Sequence, residues 1–202
     1  MFRWLALTVF VAALSVSAWQ RSRAHREKAA IPRRSESPGL IVGRVAVALP
    51  LFGGVAAYLA SPRLMAWAAV DLPIWLRWFG GIVGVVTVPT VYWVLNTLGS
   101  NVSETVLTKE RHDLVTSGPY RWVRHPLYLT GLALFLSVGL MAANGFLLLW
   151  TVVALLGVRL VVVPREEAAL VQKFGDEYRR YQASTGLLLP SFRAGRHSRS
   201  AG

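Results

Sequence analysis

The sequence predicts an all-α integral membrane protein with about five transmembrane helices, a C-terminal helix hairpin and a cytoplasmic amphipathic helical tail. Three observations predict it. The 202 residues are 54% hydrophobic and only 16% charged, with a mean hydropathy of +0.45, too apolar for an ordinary soluble domain and too short for several domains. Apolar runs long enough to cross a hydrocarbon core of roughly 30 Å recur along the chain. The basic residues gather in the segments between runs that an outside amino terminus would place inside.

Phe2–Trp19 is the first run, with Arg3 as its one charge. A small-residue site at Val16-Ser17-Ala18 would also suit a signal peptide. The length of the run and an interfacial Trp19 favour a retained span. Gln20–Gly39 carries six basic residues and two prolines and is expected to be a basic cytoplasmic loop touching anionic lipid headgroups. Leu40–Ala60 is the second span, with Pro50 placed to kink it, and Ile74–Leu98 the third, with Gly80 and Gly84 spaced for close helix contact. Residues 1–97 thus form an N-terminal membrane region.

Gly99–Pro126 is polar, and Thr105–Thr108 and Asp113–Thr116 read as two short strands of a hairpin. Leu127–Met141 and Phe146–Val163 follow as two apolar runs joined by Ala142-Ala143-Asn144-Gly145, an uncharged helix-hairpin turn. The first is short for a span and is expected to tilt little or to be partly shielded by protein. Pro164 suits the start of a new helix and Phe174-Gly175 its end, with Tyr178 and Tyr181 on one face of the next. The last residues, 191–202, lack apolar pattern and read as a disordered tail. Five spans would put 17 of the 22 lysines and arginines inside. This predicts a multi-pass protein of the cell's inner membrane with a cytoplasmic carboxyl terminus.

Composition also excludes chemistry. There is no cysteine, hence no disulfide, thiolate metal site or cysteine nucleophile. His25, His112, His125 and His197 have no ligand spacing, so no metal is expected. The net charge of +12 is distributed for lipid headgroups, not for nucleic acid. What remains is Gly118–Gly131, whose two prolines, two arginines and histidine no lipid-facing helix would hold, and a second polar cluster after the last apolar run. Tyr120, Arg121, Arg124, His125 and Tyr128 form the first; Glu166, Glu167, Tyr178 and Tyr181 the second. The hairpin returns the chain to its starting side, so the two are expected to meet.

Gly-Pro-Tyr-Arg-x-x-Arg-His-Pro-x-Tyr, an apolar hairpin, Glu-Glu-x-x-Leu and Phe-Gly-x-x-Tyr-x-x-Tyr together resemble the isoprenylcysteine carboxyl methyltransferase family, over about residues 98–190. The resemblance implies a methyltransferase-like catalytic region using S-adenosylmethionine without a Rossmann domain. It also implies a lipophilic acceptor entering from the bilayer, such as the carboxylate of an isoprenylcysteine-like or prenylated substrate. Candidate cofactor-binding residues are Tyr120, Arg124, His125, Tyr128, Glu166, Glu167, Tyr178 and Tyr181. Arg124 and His125 suit the cofactor carboxylate, the glutamates its ribose or ammonium, and the tyrosines its adenine or sulfonium. Glu166 and Arg159 are the candidate catalytic residues, Arg159 to orient the acceptor carboxylate. Arg159 could equally form a salt bridge to Glu166 or snorkel to the membrane face. Arg121 and Trp122 read as interface anchors. Competing assignments are a phospholipid amine methyltransferase, an NADPH-dependent reductase of the steroid reductase type, and a membrane scaffold without activity. Two departures from the family pattern stand out: Gly131 falls three residues after Tyr128 instead of two, and Thr185–Leu189 lacks a basic residue.

Overall fold

The computed structural model describes residues 1–26, 38–99 and 114–191. Among them the protein is all-helical. Helices α1 (Phe2–Arg26), α2 (Pro38–Ala60) and α3 (Ile74–Leu98) are followed by α4 (Pro126–Ala142) and α5 (Gly145–Gly157). A π-helical turn (Val158–Val162) leads on to α6 (Val163–Phe174), and α7 (Asp176–Ser184) ends the helical part. By length and composition α1, α2, α3 and the continuous α5–α6 segment could each cross a membrane, while α4 is a shorter apolar helix. The protein is an integral membrane protein.

Contacts fix the direction of each helix. Phe2 meets Trp78 edge-on at 5.3 Å and Trp19 stacks on Tyr92, so α1 and α3 run parallel. A Cβ on Gly80 would lie 2.7 Å from Leu140 Cβ, and one on Gly84 3.0 Å from Ser137 Oγ, so α4 runs antiparallel to α3. The glycine spacing of α3 therefore lets the helix lie directly against α4, as expected. Because Leu140 Cβ and Ser137 O cannot retreat like a side-chain tip, Gly80→Ala should force the helices apart and cost about 1–3 kcal/mol, read as a lower unfolding midpoint in detergent.

One end of the bundle is tied by polar caps. Arg3 donates to Leu59 O and Ala60 O at the end of α2 (2.9 and 2.6 Å). Arg77 donates to Met141 O at the end of α4 (3.1 and 2.8 Å) with its guanidinium over the Phe2 ring. Both cations meet free carbonyls at a helix C-terminus, where the macrodipole favours them. Ala143 takes the left-handed conformation, and Asn144 caps α5 by accepting from Leu147 N (3.1 Å) while donating to Met65 O (2.9 Å). Met65 belongs to a 3-10 helix, Pro62–Ala68, inside what the sequence offers only as a loop. The core lies between α1, α2, α4 and α5 around Ala6, Val55, Val138, Met141 and Leu147. As expected, α4 is shielded by protein, with Thr130, Leu134 and Ser137–Met141 buried.

Three expectations need correction. The basic segment is not loop from Gln20: α1 runs on to Arg26 and α2 begins at Pro38, because the helix-compatible residues from Gln20 to Arg26 carry the helix past its apolar limit. Pro164 stands in the first turn of α6, as expected, but α6 is not a separate helix. The chain stays helical from Gly145 to Phe174, because the π turn, with Val163 N bonded to Val158 O, accommodates the residue that lacks a donor. Of the expected strand pair, Thr105–Thr108 and Asp113 lie outside the described residues, and Leu114–Thr116 form no strand. Residues 27–37 and 192–202 also lie outside them.

Candidate active site

At the opposite end from those caps the chain leaves α3, and two local features shape its return. Gly118 has φ +57, and a Cβ there would stand 2.8 Å from Thr97 Oγ1, so only glycine fits against the last turn of α3. Pro119 then opens a 3-10 turn, Gly118–Arg121, and Pro126 opens α4, which leaves His125 outside the helix at φ −122, as a residue preceding proline should be. The extended piece between them is strapped to the chain beyond α7. Val123 forms a parallel bridge with Gly186, Arg124 N donates to Gly186 O (2.8 Å) and His125 N to Leu187 O (3.1 Å).

The second cluster arrives on α6 and α7, which turn back on each other at Gly175, φ +57. Glu167 is the hub. Its Oε1 accepts from Arg124 Nε at 2.7 Å, lies 3.4 Å from His125 Nε2 and accepts a long bond from the Tyr178 hydroxyl at 3.5 Å. Its Oε2 accepts from Gln182 Nε2 at 2.9 Å. Glu166 accepts from the Tyr128 hydroxyl at 2.5 Å and lies 3.5 Å from His125 Nδ1. The His125 ring thus stands between two carboxylates, one at each nitrogen. Arg124 Nη1 donates to Gln182 O (3.0 Å) and to Thr185 O, so this arginine holds α6, α7 and the following turn together. Arg124 and Glu167 side chains are only 12% and 16% exposed, which makes their pairing stronger than that of a surface pair.

Tyr120 and Tyr181 sit beneath this layer, with the Tyr181 hydroxyl donating to Tyr120 O at 2.6 Å. Burial pushes the Tyr181 phenol up to about 12 and raises those of Tyr120 and Tyr178 further. All three are neutral donors with intact aromatic faces across the physiological range.

Tyr120, Arg124, His125, Tyr128, Glu166, Glu167, Tyr178 and Tyr181 therefore come together at one end of the bundle. Arg159 does not join them. It is exposed on the π turn, while Glu166 is engaged by Tyr128 and His125. Arg121 is exposed, and Trp122 is 49% exposed with its edge against Trp93, as suits interface anchors. Sequence reasoning misses Gln182, although it follows Tyr178 by four residues on the same helix face, and misses the backbone of Thr185, Gly186 and Leu187, which no side-chain pattern announces.

Residues 81–172 match the model of the isoprenylcysteine carboxyl methyltransferase family. That stretch, just under half of the chain, is similar to the family. The matched stretch begins in α3 and ends on α6, so it includes both halves of the cluster except α7. The fold is similar to that of a eukaryotic intramembrane Ras methyltransferase, isoprenylcysteine carboxyl methyltransferase, with a TM-score of 0.54 and 22% identity over 92% of this chain and 67% of that one. Among curated proteins, the methanethiol S-methyltransferase of Pseudomonas deceptionensis is 41% identical over 76 residues, 37% of this chain and 27% of that protein. The methanethiol S-methyltransferase of Mycobacterium tuberculosis is 39% identical over 71 residues, 35% of this chain and 28% of that protein. The matched segments thus span just over a quarter of these relatives' length.

Proposed function

We propose that the protein is a membrane methyltransferase that moves a methyl group from S-adenosylmethionine to a lipophilic acceptor, the carboxylate of an isoprenylcysteine-like molecule. One observation carries the proposal: two partly exposed carboxylates, Glu166 and Glu167, share a site with Arg124, the permanent cation paired with Glu167 among the described residues, and with neutral tyrosines. That donor set fits S-adenosylmethionine. Its ammonium and sulfonium are cations, its ribose offers hydroxyls to carboxylates, and its adenine needs an aromatic face.

When bound, the cofactor supplies an electrophilic methyl group on a positively charged sulfur. Glu166 and Glu167 would attract the ammonium or ribose, His125 and Arg124 the carboxylate, and Tyr128 and Tyr178 would present ring faces. The strap of residues 123–125 to 186–187 keeps these groups in fixed positions. Orientation of this kind can contribute roughly 7–11 kcal/mol to a displacement that needs alignment above all. A carboxylate acceptor is already anionic at neutral pH and requires no general base. Arg159, exposed on the π turn before Glu166 and outside the cluster, would orient it from the lipid side. The site would then face the cytoplasm, where the basic segments also belong.

A thiol acceptor is the second possibility, favoured by the names of the two curated relatives. The two differ in pH dependence. With a carboxylate acceptor kcat/KM should be flat from about pH 5 to 8, whereas a thiol of ordinary pKa, about 8.5, or an amine should gain nearly tenfold per unit over the same range. The measurement is transfer of labelled methyl to N-acetyl-S-farnesylcysteine, to farnesyl thiol and to a phospholipid amine. Calorimetry against S-adenosylmethionine and NADPH tests the donor. Binding of NADPH alone would replace the proposal by a reductase, and binding of neither would leave a scaffold.

A further inference from the structure

The inward stripe of α1 does not stop where its apolar residues do. Ala6, Val9, Phe10 and Ala13 are buried, Val16 packs against Val91 and Leu95 together with Leu98 and Leu127, and the next position on that face, one turn later, is Gln20. It is 6% exposed, and its Nε2 is a buried donor with no hydrogen-bond partner. A carboxamide donor left unmet in an apolar setting is costly, and buried polar groups in folded proteins are as a rule paired with an acceptor.

The location follows from the helix directions. Phe2 lies level with Trp78, Leu5 with Gly81, Val9 with Gly84 and Val16 with Val91 and Leu95. One turn, about 5–6 Å, beyond Val16 puts Gln20 level with the last turn of α3 and the first turn of α4. Leu127 of that first turn, which contacts the Val16 cluster, adjoins Tyr128, whose hydroxyl bonds Glu166. The register therefore sets the orphan amide at the height of the start of α4, whose Tyr128 reaches Glu166.

We propose that Gln20 is a specificity-determining residue for the methyl acceptor, its Nε2–H group donating to an oxygen of that molecule, carboxylate or carbonyl. The inference rests on the methyltransferase function proposed above and narrows it: an acceptor recognised here carries oxygen beside its apolar chain, which favours the carboxylate over a simple thiol. A bare alkyl thiol would leave the donor unmet, and sites built to hydrogen-bond a substrate discriminate strongly against analogues lacking the partner.

The test compares wild type with Gln20→Leu, close in size but without the donor, and Gln20→Glu, which places an anion there. Calorimetry of the full chain in detergent gives Kd for N-acetyl-S-farnesylcysteine, farnesyl thiol and S-adenosylmethionine. Gln20→Leu should weaken the carboxylate compound about tenfold and leave farnesyl thiol and S-adenosylmethionine unchanged. Gln20→Glu should weaken the carboxylate compound further. The unfolding midpoint of Gln20→Leu should be equal to or above that of wild type, since an unpaired buried donor is removed. Unchanged affinity of Gln20→Leu for the carboxylate compound overturns the proposal, as does an equal loss for the thiol, which would mark a packing role. If wild type binds S-adenosylmethionine but not the carboxylate compound, this inference fails while the methyltransferase function stands. If it binds no S-adenosylmethionine, the function itself fails.

Discussion

Glu167→Gln is expected to give the largest functional loss, weakening S-adenosylmethionine binding at least tenfold and lowering the unfolding midpoint together. The carboxylate receives donors from Arg124, Gln182 and Tyr178 and faces His125. Glutamine keeps one acceptor oxygen but turns an amide donor toward either the Arg124 guanidinium or the Gln182 amide, both donors themselves. Arg124 is then left with its charge unbalanced at 12% side-chain exposure, and breaking such a pair costs about 3–5 kcal/mol. Calorimetry separates the two effects, because affinity measured well below the midpoint reports the site alone. Normal affinity in a folded Glu167→Gln protein would remove Glu167 from the cofactor site and leave it a purely structural hub.

Gly186→Ala is expected to be the most damaging structural substitution, although it lies outside the membrane helices. A Cβ at this position would overlap the backbone oxygen of Leu189 and stand 2.8 Å from Ser191 N. Neither neighbour is a flexible side-chain end, so the turn after α7 has to open. That turn accepts Arg124 N and His125 N and lies against Val123, so its opening releases the strap that fixes the first half of the cluster. The cost should be about 3 kcal/mol or more, with methyl transfer lost and helix content by circular dichroism nearly intact. An alanine variant as stable and active as wild type would show that the strap is dispensable.

The two substitutions differ in how far the sequence foretells them. Glu167 is visible as half of a paired acid one turn beyond an apolar run, in a motif with a family resemblance. Gly186 is one glycine among 17. Its importance comes from a backbone approach between residues about 60 apart, and no local pattern encodes that distance. Gln20 is a similar case. Beside six basic residues it reads as the first position of a solvated loop, and only the continuation of α1 to Arg26 turns it inward. Arg77, just inside a span, shows no partner in the sequence, and its role at the end of α4 depends on the antiparallel contact at Gly80.

Hydrophobic periodicity, proline and glycine punctuation and charge placement determined the helix class, the number of apolar runs, the α4–α5 hairpin and the identity of both polar clusters. All of these follow from local transfer and backbone energetics. Tertiary structure alone decided that α5 and α6 are one helix through a π turn, that Arg124 is largely consumed in holding α6 and α7, and that Gln182 and the 185–187 backbone complete the site. It also decided that Arg159 stays outside and that the Gln20 amide nitrogen is buried without a partner. Each depends on which groups meet across dozens of residues, and pairing at that range is set by three-dimensional packing, not by any preference of the residues themselves.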